Sequence, residues 1–198
     1  MCLETIQEII NELILFYVRF MNAVPYCLEG VLVALKLAGL TLLFSLPLGL
    51  VFAAGRMSRF KLARWPVQFL LLILRGTPLM LQLIAVYYGP YYIAGLSWDR
   101  FTAAVVAFSI NYAAYFAEIY RGGIQSISKG QYEAGAVLGY SRLQVFFRIV
   151  MPQVVKRILP AMGNEFMVLV KDTALAQVIG VLELLRNANS IMARTFDI

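Results

Sequence analysis

Residues 31–54 read VLVALKLAGLTLLFSLPLGLVFAA. In about 24 residues the only charge is Lys36, and at the helical rise of 1.5 Å per residue the stretch reaches ~36 Å, enough to cross the hydrocarbon core of a bilayer. Pro47 is expected to kink this helix, and Lys36 lies near enough to one end to snorkel its ammonium toward headgroups. The rest of the 198-residue chain agrees with a lipid solvent: 61% of residues are apolar or aromatic and only 14% are charged, against roughly 45–50% and roughly 25% in ordinary soluble domains. Mean hydropathy is +0.77. A globule this small cannot hide so much apolar side chain from water. The net charge of +6 does not point to nucleic acid, because the basic residues lie between apolar runs and form no single stripe. There is no histidine, which excludes His-based acid/base catalysis and His-ligated metal, and no metal site is expected. Cys2 and Cys27 read as free apolar fillers, since two thiols build no disulfide framework.

Outward from that span the chain alternates apolar runs with charged loops. Upstream, Glu4, Glu8 and Glu12 share one helical face and Ile6, Ile9, Ile10, Leu13 and Ile14 the other, so residues 1–25 are expected to form an interfacial helix. The acidic start is not that of a secretory signal. Downstream, Arg56, Arg59, Lys61 and Arg64 put their loop in the cytoplasm and the N-terminus outside. A second span from Trp65 to Tyr92 is broken at Arg75-Gly76-Thr77-Pro78 and ends in an aromatic belt of Tyr87, Tyr88, Tyr91 and Tyr92. A third, Phe101 to Tyr120, carries Ala103, Ala104, Ala107, Ala113, Ala114 and Ala117, small residues on which another helix can pack closely. The polar stretch from Arg121 to Gln144 is again cytoplasmic by its charges. A fourth span, Phe146 to Val170, contains Pro152, Lys156, Arg157, Pro160 and Glu165, so it is expected to be surrounded by protein. Thr173 to Leu185 reads as a short or re-entrant element.

The polar stretch holds Glu133-Ala134-Gly135, then Gly139, Ile149, Met151 and Pro152. Gly130 and Gly139 bracket about two helical turns, with Glu133 near the positive end and Gly139 at a plausible stop. A short helix with a flat Ala/Gly face in a loop between spans has the shape of a docking element; a solvated loop helix is the plainer alternative.

Here the chain closely resembles the membrane permease subunits of bacterial ABC importers, whose EAA loop runs Glu-Ala-Ala, three residues, Gly, nine residues, Ile, one residue, Leu-Pro. Gly135 replaces the second Ala and Met151 the Leu. From Val31 to Phe196 the resemblance narrows to permeases for polar amino acids, through Arg75-Gly76-Thr77-Pro78-Leu79, Ala113-Ala114-Tyr115-Phe116-Ala117-Glu118-Ile119, Arg121-Gly122-Gly123-Ile124, Lys129-Gly130-Gln131, Lys171-Asp172-Thr173 and Val178-Ile179-Gly180-Val181. Ser128 stands where that family usually has Pro. The resemblance implies an all-α, type I permease bundle over 26–198. Four spans are readable, with a short or re-entrant helix, a cytoplasmic coupling helix at about 131–140, and a fifth family span truncated or absent after Arg194. It implies that Tyr132, Glu133, Ala134, Gly135, Gly139 and Arg142 engage a cytoplasmic ATPase dimer. It also implies a second permease chain, identical or related, and an external amino-acid-binding protein, in a bacterial inner membrane. The chain has no G-x-x-x-x-G-K-[ST] phosphate loop, so ATP and Mg belong to the partner; no cofactor and no catalysis are expected here.

An amino acid zwitterion needs acceptors for its ammonium and donors for its carboxylate in a desolvated cavity. Asn111 and Glu118 share a helical face with Tyr115, and Glu165 aligns with Asp172. These, with Asn164 and with Thr41 and Ser45 opposite, are the expected pathway residues, Glu165 and Asp172 leaning toward a cationic substrate such as arginine, lysine or histidine; glutamine is the other class. The competing reading pairs Arg75, Glu118, Arg121, Lys171 and Asp172 with one another to fix helix packing. An ion-driven secondary transporter or channel is the alternative function, without the internal repeats usual there. An intramembrane enzyme would have only carboxylate chemistry available.

Overall fold

The computed structural model describes residues 2–181. They form helices α1 (Cys2–Arg56), α2 (Lys61–Gly76), α3 (Leu79–Ala94), α4 (Arg100–Gln125), α5 (Lys129–Val137) and α6 (Arg142–Val145), a π turn (Phe146–Val150), α7 (Met151–Asp172) and a 3₁₀ helix (Thr173–Ile179). There is no strand among the described residues. The chain is an all-α membrane bundle. The acidic face of Glu4, Glu8 and Glu12, and the element past 181, lie outside the described side chains or residues.

The helical pattern read over 1–25 does not stop at 25. It continues through Pro25 into the first span as one helix of 55 residues, ~83 Å long, about twice the full thickness of a bilayer. Pro47 also lies inside it. On its last half Leu37, Thr41, Ser45 and Ala53 are buried, together with Gly49, one stripe at a spacing of four. That stripe meets α4, whose Ala103, Ala104, Ala107, Ala113, Ala114 and Ala117 are all buried. A Cβ on Gly49 would stand 3.0 Å from the Phe116 Cβ and 3.2 Å from the Ala113 carbonyl. The alanine surface thus does what its composition requires, letting a neighbouring backbone approach. α4 begins where Asp99 caps it, Oδ2 accepting from the N–H groups of Phe101 (3.1 Å) and Thr102 (3.2 Å).

The second span is broken as its sequence implies, α2 and α3 meeting at a bend of 110°. Pro78 has no N–H for the Leu74 carbonyl four residues back. Side chains supply the missing donors: Gln82 Nε2 lies 2.7 Å and Asn111 Nδ2 3.2 Å from the Leu74 oxygen. Gln82 also donates to Thr77 Oγ1 (2.8 Å) and accepts from Asn111 (3.0 Å). A freed carbonyl at membrane depth is therefore satisfied inside the protein.

α7 has 22 residues, ~33 Å, long enough to cross. Within one chain it is not wrapped by protein. Val154, Ile158 and Leu169 are buried on it, while Lys156, Arg157, Pro160, Asn164 and Lys171 are exposed. The expectation that this span is surrounded is not met by the single chain, because only one face of it meets α4.

Candidate functional site

α5 is held at its C-terminus and from beneath. Its C-terminus is a Schellman turn: the Tyr140 N–H donates to the Gly135 carbonyl (3.1 Å) and the Gly139 N–H to that of Ala136 (3.0 Å), with Gly139 at φ 79°. Any side chain at that φ is strained, so the glycine is the stop its position suggests. Gly135 is buried, and a Cβ there would come within 2.6 Å of Val145 Cγ2 and 3.2 Å of Ile149 Cδ1. Glycine in place of the second alanine thus lets α5 seat directly on the turn that follows. α6 starts with a capping box, Ser141 N–H donating to Gln144 Oε1 (2.8 Å) and Ser141 Oγ accepting from the Gln144 N–H (3.4 Å). The Ser-x-x-Gln spacing was available in the sequence as a signal for it.

What α5 leaves outward is consistent with a docking face. Tyr132, Glu133, Ala134 and Arg142 are exposed, and beside them stand Val137 at 89%, Leu138 at 70% and Leu143 at 71% exposure.

The intramembrane residues fall into separate groups. Thr41 and Ser45 are completely buried in the α1 stripe that meets α4, without a hydrogen-bond partner among the described residues. Asn111 is committed to the α2–α3 break. Glu118 is engaged by arginines: Arg121 donates from Nε (3.0 Å) and Nη2 (2.8 Å) to Oε2, Arg56 Nε lies 2.8 Å from Oε1 without hydrogen-bond alignment, and Arg75 Nη1 is 3.9 Å from Oε2. Arg75 also sits over the Tyr115 ring, 5.5 Å from its centroid. Asp172 does not pair with Lys171; it accepts the Tyr112 hydroxyl proton at 2.8 Å. Glu165, half-buried one face-repeat away, lies within electrostatic reach of Asp172, Tyr112 and Arg75. Asn164 is exposed beside it. Of the expected pathway residues, the fold thus groups Glu165 and Asp172, both partly exposed, along one side of α7, with Asn164 adjacent. Gln82, Gln131, Gln153 and Arg157 are functional-site neighbours that the sequence reading passed over, because their partners lie on other helices.

The family model for the binding-protein-dependent transport system inner membrane component matches residues 45–197. The chain belongs to that family. The arginine transport system permease protein ArtQ of Bacillus subtilis is 40% identical over 174 residues, 88% of this chain and 80% of that protein. The L-cystine transport system permease protein TcyB of the same organism is 38% identical over 173 residues, 87% of this chain and 74% of that one. A crystal structure of an amino acid ABC transporter with histidines superposes at TM-score 0.84 and 37% identity, covering 91% of this chain and 84% of the other. The MetNI methionine ABC transporter shares the fold, at TM-score 0.57 and 18% identity. The permease is a membrane-embedded subunit of an amino acid ABC importer, and an importer of this class works with an ATPase and a substrate-binding protein. The ion-gradient alternative is not favoured.

Proposed function

We infer that this permease forms a polar amino acid pathway in a dimer, identical or mixed, with α5 seated in a cytoplasmic ATPase that binds ATP and Mg and does all the hydrolysis. The observation that carries the reading is α7. In a chain with lipid-adapted composition, it leaves Lys156, Asn164 and Lys171 exposed and Glu165 and Asp172 half-buried. Charged and amide groups at membrane depth are costly unless they face protein or a water-filled passage. A second permease chain packed against the exposed side of α7 meets the requirement for Lys156, Asn164 and Lys171, and the two half-bundles enclose a pathway that one cannot. Glu165, Asp172 and Asn164 then offer acceptors to a substrate ammonium. Two carboxylates favour a basic amino acid, in line with the arginine transport named for ArtQ; glutamine is the second class. The charges of the 56–64 loop and of α5 to α6 support a cytoplasmic α5 and an external N-terminus.

The experiment is uptake of labelled arginine, lysine, histidine and glutamine by proteoliposomes holding the permease with its ATPase and binding protein. ATP-dependent uptake of a basic amino acid, reduced at least tenfold by Asp172→Asn with ATPase co-purification intact, is the expected result. Uptake unchanged in that variant removes Asp172 from the pathway.

A further inference from the structure

α7 reaches back to α5 through side chains rather than through the connecting chain alone. Pro152 near its start has no N–H, and just before it the helical ladder widens to a π turn, the Met151 N–H donating to the Phe146 carbonyl. Directly after the proline, Gln153 Nε2 donates both to the Ile149 carbonyl in that turn (2.9 Å) and to Gln131 Oε1 on α5 (3.0 Å). One helical turn on, Arg157 Nη1 donates to the Ser126 carbonyl and to Ser126 Oγ (3.0 Å), where α4 ends. Ser126 Oγ in turn donates to the Gly123 carbonyl (2.7 Å). Between these polar ties, Val154 and Ile158 press on Gly123, where a Cβ would collide with Ile158 Cγ2.

Gln153, Val154, Arg157 and Ile158 occupy one face by three-and-four spacing. That face grips the end of α4 at Gly123 and Ser126 and the first turn of α5 at Gln131. The connection past Gly139 runs through a glycine turn, a four-residue α6 and a π turn on which Gly135 seats, and Gln153 adds a direct polar tie from α7 itself to α5. We propose that Gln153 is a positioning residue that locks α5 to α7, and that Arg157 completes the lock by fixing the same face of α7 to the end of α4, the chain segment that leads into α5. A displacement of α5 by the ATPase then moves the α7 face bearing Glu165 and Asp172 as part of the same rigid body. This rests on the reading of α5 as the ATPase-docking helix.

The test uses the complete importer in proteoliposomes, with the labelled amino acid that wild type takes up fastest among arginine, lysine, histidine and glutamine. Gln153→Leu should lower amino acid moved per ATP hydrolysed at least fivefold, with ATPase co-purification and ATP hydrolysis retained; adding Arg157→Met should deepen the loss. The exchanged pair Gln131→Glu with Gln153→Lys, which rebuilds the contact as an ion pair, should return the ratio to within twofold of wild type. A merely destabilising substitution would lower yield and hydrolysis together and would not be rescued by the exchange. A substrate-independent measurement accompanies it: spin labels on exposed Ala136 and Leu159, with both native cysteines replaced by serine. Their distance distribution should be the same with and without ATP in the otherwise wild-type protein and should broaden in Gln153→Leu with Arg157→Met. A wild-type transport ratio in Gln153→Leu, failure of the exchanged pair to rescue, or label distances indifferent to the variants overturns the proposal. Absence of ATP-driven uptake by wild type would instead overturn the importer reading itself.

Discussion

Glu118→Gln removes the one anion that Arg56, Arg75 and Arg121 share, and its cost is set by how much of that cluster water can repair. Arg121 loses two hydrogen bonds to a carboxylate, at 3.0 and 2.8 Å, each worth about 1.5–3 kcal/mol when the acceptor is charged. Breaking a fully buried pair costs about 3–5 kcal/mol, because the orphaned charge stays desolvated. Here the Glu118 side chain is 13% exposed, but those of Arg56, Arg75 and Arg121 are 25%, 43% and 29% exposed, so the arginines recover part of their hydration and ~2–3 kcal/mol is the expected net loss. For a chain of this size that corresponds to a melting temperature lower by ~4–12 °C, measured by intrinsic fluorescence on the detergent-purified complex. The KM for uptake should stay within about twofold if the arginine contacts of Glu118 are its whole role. Glu118→Gln combined with Arg121→Gln should melt above the sum of the two single effects, since one uncompensated cation has gone. A Glu118→Gln variant that melts within about 1 °C of wild type, or one that melts normally while KM rises tenfold, refutes the packing role.

Gly139→Ala strains a residue at φ 79° and should cost about 1 kcal/mol locally; substrate-stimulated ATP hydrolysis should fall while insertion, followed by membrane fractionation, is unchanged. Gly135→Leu drives a side chain into Val145 and Ile149 and should lower ATPase co-purification severalfold, an effect absent if α5 is only a solvated loop helix. Asn111→Leu leaves Gln82 as the sole side-chain donor to the Leu74 carbonyl and should lower stability by about 1–2 kcal/mol, read as a lower melting temperature with KM unaffected. Gly123→Val should be among the most destabilising single changes, because overfilling the α4–α7 contact forces the helices apart; a normal melting temperature would show that the contact relaxes freely.

Local periodicity made the spans, the break at Gly76-Thr77-Pro78 and the alanine surface of α4 legible. Each follows from residues close in sequence. Helix α5 was legible as two turns ending at a glycine, because Gly139 punctuates the chain whatever surrounds it. Thr41 and Ser45 show where that logic runs out: a hydroxyl at a small-residue packing position and one lining a passage look alike until the facing helix is known. Asn111 illustrates the same limit. That Pro78 strips a donor from Leu74 follows from counting four residues back, but that the replacement comes from 37 residues away depends on the fold. The interfacial helix expected over 1–25 and the span expected over 31–54 are one continuous helix through Pro25, because a proline inside a helix is tolerated when the rest of its ladder holds.

The importer reading rests on force reaching the bundle from an ATPase seated on α5. Its most direct test is substrate accumulation by the purified permease in proteoliposomes, with the binding protein present and the ATPase present, absent, or blocked by a non-hydrolysable nucleotide. Accumulation should appear only with the active ATPase and should vanish in Glu133→Ala with Gly139→Asp. Accumulation by the permease without any ATPase, driven by an imposed ion gradient, would contradict it.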